Sequence, residues 1–91
     1  MTGAELQEGE LYRFIKVDGQ YEFDLVTATG GNSHRAMADN RKVEAAGYLA
    51  FNKNHIKIPE PWSSTLGIGC MEVHYQELEK LLGKKIKGKW D

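Results

Sequence analysis

The sequence predicts an α+β domain: a mainly antiparallel sheet of about six strands, arranged as a meander or half-open barrel, with one C-terminal helix. Three observations carry this reading. Asp18-Gly19 lies between two runs of alternating polarity, Glu10–Val17 and Gln20–Thr27. Val43, Ala45, Gly47, Leu49 and Phe51 fall at every second position, the period of a strand with one buried face. Tyr75, Leu78, Leu81 and Leu82 share one helical stripe that stops at Gly83, a residue suited to a left-handed C-terminal cap.

Residues 1–9 hold few apolar side chains and two glycines, and are expected to form a flexible lead-in. Asp-Gly favours a type I′ turn, which needs positive φ at both central residues. A two-residue loop at Asp18-Gly19 sets Phe14 opposite Phe23, Tyr12 opposite Leu25 and Arg13 opposite Asp24. A slip of one residue would set Phe14 against Glu22, so the pattern selects the register. Tyr12, Phe14, Tyr21, Phe23 and Leu25 then form the core face. Leu11, Ile15, Val17 and Val26 share the other, part-exposed face with Arg13, Glu22 and Asp24.

The segment Ser33–Lys42 admits two readings. Ala36, Met37 and Ala38 favour a helix capped by Ser33. A hairpin through Asp39-Asn40, pairing Arg35 with Glu44 and Ala36 with Val43, explains why alternation starts directly afterwards, and we favour it. A strand over Arg41–Phe51 follows, and a turn at Lys53-Asn54 pairs Phe51 with Ile56 and Leu49 with Ile58. Pro59 and Pro61 are expected to end that partner strand. Trp62–Thr65 reads as a loop and Leu66–Val73 as a strand loosened by Gly67 and Gly69. The helix is expected to begin at His74 as its cap and to end at Gly83. Beyond it, Ile86 and Trp90 are the large apolar groups of a basic tail, 84–91, that forms a short edge strand or packs at two points.

The chain of 91 residues suits one domain, and 41% hydrophobic with 27% charged residues suits a folded, water-exposed one. No apolar run approaches the roughly 20 residues that span a bilayer, and the first ten residues lack the pattern of a signal peptide. A cytoplasmic protein without membrane contact is therefore expected. Cys70 is the only cysteine, which excludes an intrachain disulfide and a four-cysteine zinc site. The formal net charge is −1, but it is unevenly placed. Residues 1–79 carry seven Lys/Arg and twelve Asp/Glu, a net −5; residues 80–91 carry five Lys and one Asp, a net +4.

Four groups of residues could carry chemistry. Gly30-Gly31-Asn32-Ser33-His34 could hold an anion on successive backbone N–H groups, or be an ordinary loop. Trp62, Ser63, Ser64, Thr65, Leu66 and Gly67 could form a binding loop with Trp62 as an apolar lid. In the plainer reading, Trp62 fills the core edge and the hydroxyls satisfy local backbone. Cys70 and His74 are four apart, yet the spacing crosses a strand–helix boundary, so a buried, inert thiol is the expectation. Zinc on Cys70, His74 and either His34 or His55 fits no ligand spacing, and neither a metal nor another cofactor is expected. Lys80, Lys84, Lys85, Lys87 and Lys89, with Trp90, form the strongest nucleic-acid signal: lysines neutralise phosphates and an aromatic ring stacks on a base. The alternative is a solvated tail whose lysines protect an edge strand.

Several of these pieces occur in one order: Gly30-Gly31-Asn32-Ser33-His34, Arg41-Lys42-Val43, Ala46-Gly47-Tyr48, Ser64-Thr65-Leu66-Gly67, a helix and a late Trp90. Over about the last 60 residues this resembles the C-terminal half of the Janus/phosphohistidine phosphatase family. The resemblance implies a phosphate-binding role for Ser64 and Leu66 and supports the hairpin at Ser33–Val43. The family's histidine-bearing motif is missing from the earlier half, so phosphatase activity is not implied. The expected function is a small non-enzymatic interaction protein (an adaptor, inhibitor or immunity-type regulator) that contacts a protein partner. Two other expectations are a nucleic-acid-binding module using the lysine tail, and a binder of a small phosphate-bearing ligand between the Ser33/His34 loop and the Ser63–Gly67 turn. A monomer or an edge-strand homodimer is compatible with all three.

Overall fold

A computed structural model describes residues 5–27 and 33–87. It is an α+β fold with six strands in two antiparallel sheets. The strands are β1 (Glu10–Val17), β2 (Gln20–Leu25), β3 (Ala45–Phe51), β4 (Ile56–Glu60), β5 (Trp62–Ser63) and β6 (Ile68–Gly69). The helices are α1 (His34–Ala38) and α2 (Glu72–Leu82). The main sheet has the order β2-β1-β3-β4, and β5 pairs with β6 alone. The sheet is open, and because β3 joins on the far side of β1 it is not a simple meander.

The first hairpin forms in the expected register: Phe14 faces Phe23, Tyr12 faces Leu25 and Arg13 faces Asp24. Asp18 and Gly19 both adopt positive φ, 52° and 77°, as a type I′ turn requires. Tyr12, Phe14 and Phe23 point to one face with Leu49, Ile56 and Ile86, and α2 covers that face through Tyr75 and Leu78. Full burial of one such side chain contributes roughly 1.5–3 kcal/mol. Residues 5–9 lie against the sheet: the Gly9 N–H donates to the Phe51 carbonyl at 2.7 Å, and the Gln7 N–H donates to the Tyr12 hydroxyl at 2.8 Å.

Five expectations are corrected. The segment after Ser33 is a helix, not a strand. Ser33 caps it, with Oγ accepting the Ala36 N–H at 3.1 Å. Arg41 covers its exposed end by donating to the Met37 and Ala38 carbonyls. With the helix in place, the alternating strand starts at Ala45, not at Arg41. Pro59 lies inside β4, because β4 is paired with β3 across a bulge between Tyr48 and Ala50 that removes the need for its missing donor. The strand expected over Leu66–Val73 shrinks to Ile68–Gly69, since Trp62–Ser63, read as loop, is its partner.

The last correction concerns α2. It begins at Glu72 with Met71 as its N-cap. His74 sits three residues in, where its Nδ1 accepts the Met71 N–H at 2.9 Å. The capping-box geometry therefore exists, one turn earlier than expected and with histidine in the acceptor role. Leu81, read as part of the buried stripe, is 51% exposed, while Leu78 is fully buried. Gly83 does close the helix in the left-handed region, at φ 69°. No described helix is long and apolar enough to cross a membrane.

Substitution at the helix separates these roles. Leu78→Ala is expected to lower unfolding stability by about 2–5 kcal/mol, and Leu81→Ala to change it by less than about 0.5 kcal/mol, in urea denaturation. Equal effects would contradict the placement of the helix.

Candidate binding surface

The face of the sheet turned away from α2 has two halves. At one end, Ile15, Val17 and Ala46 are covered by Met37 of α1, Val43 and Leu66. At the other end the described cover from α1 is the His34 ring, which meets Tyr48. Leu11, Arg13, Tyr48 and Ala50 stand here half-buried, on the even positions of β3 and the odd positions of β1. Cross-strand pairing extends this half to β4, where Ala50 faces Lys57.

The chain after α2 adds a further row. Ile86 forms a parallel bridge with Ile56: the Ile56 N–H donates to the Lys85 carbonyl and the Lys87 N–H to the Ile56 carbonyl, both at 2.9 Å. Ile86 points into the core at 6% exposure. Lys87, next to it in the chain, stands near His55 together with Lys57. The imidazole of His55 is held below its usual pKa by desolvation and by the positive field of Lys87, Lys57 and Lys84. Lys57, Lys85 and Lys87 are exposed, and among the described residues none makes an ion pair.

An aromatic group borders this basic row. The Tyr48 ring meets the His34 ring edge-on, with centroids 5.0 Å apart, and the Arg13 guanidinium lies 5.5 Å from its centroid. His34 is 2% exposed and its Nε2 donates to the Gly47 carbonyl at 2.8 Å, which fixes the wall against which Tyr48 rests. Tyr48, Arg13 and Lys57 were not singled out from the sequence. Their signal was the face of β1, β3 and β4 opposite the apolar one, visible once the strands are aligned.

The two loops proposed for a phosphate-bearing ligand do come together. Arg35 donates to the Thr65 carbonyl at 3.2 Å, joining α1 to the turn between β5 and β6. Their polar atoms are engaged locally, however. Ser33 Oγ caps α1, and Ser63 is fully buried with its Oγ accepting the Leu66 N–H at 3.3 Å. Leu66 packs beneath α1, Gly67 turns at φ 66°, and Ser64 is exposed. Trp62 is 48% exposed, and its ring lies so close to Gly69 that a Cβ there would sit 2.8 Å from it. Gly31 lies outside the described residues.

The lysine tail divides. Lys84 folds back, with its ammonium 4.0 Å from the Phe51 ring centroid and donating to the Asn52 carbonyl. Lys80 and Lys85 line a shallow depression of about 280 Å³ with Gln76, Glu79 and Gly83. Lys87 stands near His55, and Lys89 and Trp90 lie outside the described residues.

The nucleophile and bases are turned inward. Burial pushes the Cys70 thiol up to about 11, against a weaker opposing hydrogen bond with Tyr75. Desolvation lowers the pKa of His34 and of His74, where Lys16 adds to the effect. Among the described residues no three of His, Cys, Asp and Glu gather closely enough to hold a metal ion. No family model, curated protein or solved structure matches the chain. The likeness to the phosphohistidine phosphatases thus rests on the quoted residues alone, and the hairpin it supported is a helix.

Two measurements follow from these groups. A histidine whose folded pKa lies below its ordinary 6.5 contributes stability that is complete above that pH and is lost as pH falls through the lower folded value. Stability is expected to fall on going from pH 7 toward pH 5, about neutral to mildly acidic, with a shallower slope in His34→Gln. Iodoacetamide at pH near 8 is expected to alkylate Cys70 at least about tenfold more slowly in the native than in the urea-unfolded chain, because the thiolate is the reactive form.

Proposed function

We propose that the protein is a non-enzymatic binding module that contacts another macromolecule through the open half of its main sheet. The observation that carries this reading is the pair of exposed cations near His55, Lys57 and Lys87, which make no ion pair among the described residues, with Lys57 on the strand face that also carries the half-buried Tyr48. Unpaired charge next to a flat, partly apolar strand surface is suited to partner contact, because complementary charge steers association and an aromatic ring supplies contact area at little entropic loss. The inward engagement of Cys70, His34, Ser63 and His74 supports the same reading, since each would have to break a native interaction to act on a substrate.

Photo-crosslinking in cells tests it. A benzophenone side chain placed at Leu11 is expected to yield a macromolecular adduct that disappears when Lys57 and Lys87 are both changed to Glu. The same group at Val73, on the exposed side of α2, is expected to yield none of that adduct. An unmodified monomer at Leu11 would refute the proposal.

A further inference from the structure

We infer that α2 carries a proton-sensitive latch: a proton on the His74 ring removes the cap at Met71 and releases the first turn of the helix. This goes beyond the proposed binding role and concerns the other side of the sheet.

The geometry fixes the state of the ring. The Met71 N–H is a donor, so the His74 Nδ1 that receives it at 2.9 Å must present a lone pair. The imidazole is therefore neutral, with its hydrogen on Nε2. An imidazolium carries a hydrogen on both nitrogens and has no lone pair to offer. One proton thus sets two donors against each other at Met71. Glutamine, a usual residue at this place in a capping box, keeps its oxygen acceptor at every pH. Histidine here makes the cap conditional.

The segment that the cap holds lies at the surface. The His74 and Tyr75 N–H groups both donate to the Met71 carbonyl, at 3.0 and 3.2 Å, and close the turn. Met71, Glu72 and Val73 are exposed, and the buried anchors of α2 are Tyr75 and Leu78 further on. The first turn can therefore open while the rest of the helix stays on the core.

Charges from three parts of the chain set the threshold. Lys16 of β1 opposes a proton on His74, whereas Glu77 of α2 and Glu44, just before β3, favour it. Both acids are engaged: Glu77 accepts from Lys16 and the Tyr21 hydroxyl, and Glu44 accepts from the Gly19 N–H. The positive end of the helix also repels a cation at this place. Desolvation is the largest effect, and with Lys16 it outweighs the acids, so the folded pKa lies below the ordinary 6.5. The latch is accordingly closed above that pH and opens as pH falls through the lower folded value.

NMR of the full chain tests the inference. The His74 ring shifts follow its titration, and amide hydrogen exchange, expressed relative to the unfolded-chain rate at each pH, follows the turn. Protection of the Met71 amide is expected to fall by about fivefold between about pH 7.5 and 5, with the midpoint of the His74 ring, as loss of one hydrogen bond implies. In His74→Gln it is expected to stay flat, and in His74→Ala to be low throughout. Lys16→Met is expected to move the midpoint upward, because the cation opposing the proton is gone. Met71 protection that persists while the ring titrates, a ring that stays neutral down to about pH 5, or a fall that survives in His74→Gln would each overturn the inference. Should a variant fail to fold, coincidence of the ring and amide midpoints in the unaltered chain supports the latch, and their separation refutes it.

Discussion

The ring of Phe14 and the bare backbone of Gly47 fix the sheet. Phe14 sits in the middle of β1, fully buried, directly opposite Gly47 on β3. A Cβ at position 47 would lie 3.0 Å from that ring and 2.9 Å from the Glu60 carbonyl oxygen. The aromatic therefore occupies the volume that a side chain on β3 would need, and β4 closes onto the same glycine from the other side. Three strands meet at one position that tolerates no side chain. The bulge between Tyr48 and Ala50 lies immediately beside it, where β4 must shift to reach Glu60.

Polar contacts align the layers that this core holds together. Glu77 of α2 accepts from Lys16 at 2.8 Å and from the Tyr21 hydroxyl at 2.7 Å, joining the helix to both strands of the first hairpin. These bonds hold the Glu77 carboxyl below its usual range, and burial, reinforced by the bond to Glu77, pushes the Tyr21 phenol far upward. On the opposite face Arg41 grips both oxygens of Glu22, at 2.6 and 2.7 Å, while its remaining donors cover the end of α1. Such solvent-screened ion pairs add little stability of their own. Their geometry places a helix on each side, whereas the buried aromatic and aliphatic groups supply the stability.

Local signals in the sequence were read well where they specified one structure. Asp18-Gly19 and the aromatic alternation around it selected the first hairpin residue by residue, and Lys53-Asn54 set Phe51 against Ile56. Asp39-Asn40 shows why the next step failed. Both residues adopt the left-handed region, at φ 48° and 63°, much as Asp18 and Gly19 do. The same pair of dihedrals can turn a hairpin or terminate a helix, and the choice was made by Ser33 and by Arg41 reaching over the helix end. The open half of the sheet was less legible still. Tyr48, Arg13 and Lys57 are distant in sequence, and only strand order makes them neighbours of Lys87.

The single bridge between Ile56 and Ile86 has a consequence for solubility. Two backbone hydrogen bonds and one buried isoleucine hold the chain after α2 along the outer side of β4. Detachment of that short stretch would bare the donors and acceptors of the strand margin and remove two positive charges from its flank. A margin so uncovered is a template for another molecule's strand. The final residues of the fold therefore act as a clasp against polymerisation, and loosening them would favour clumping well before the interior melts.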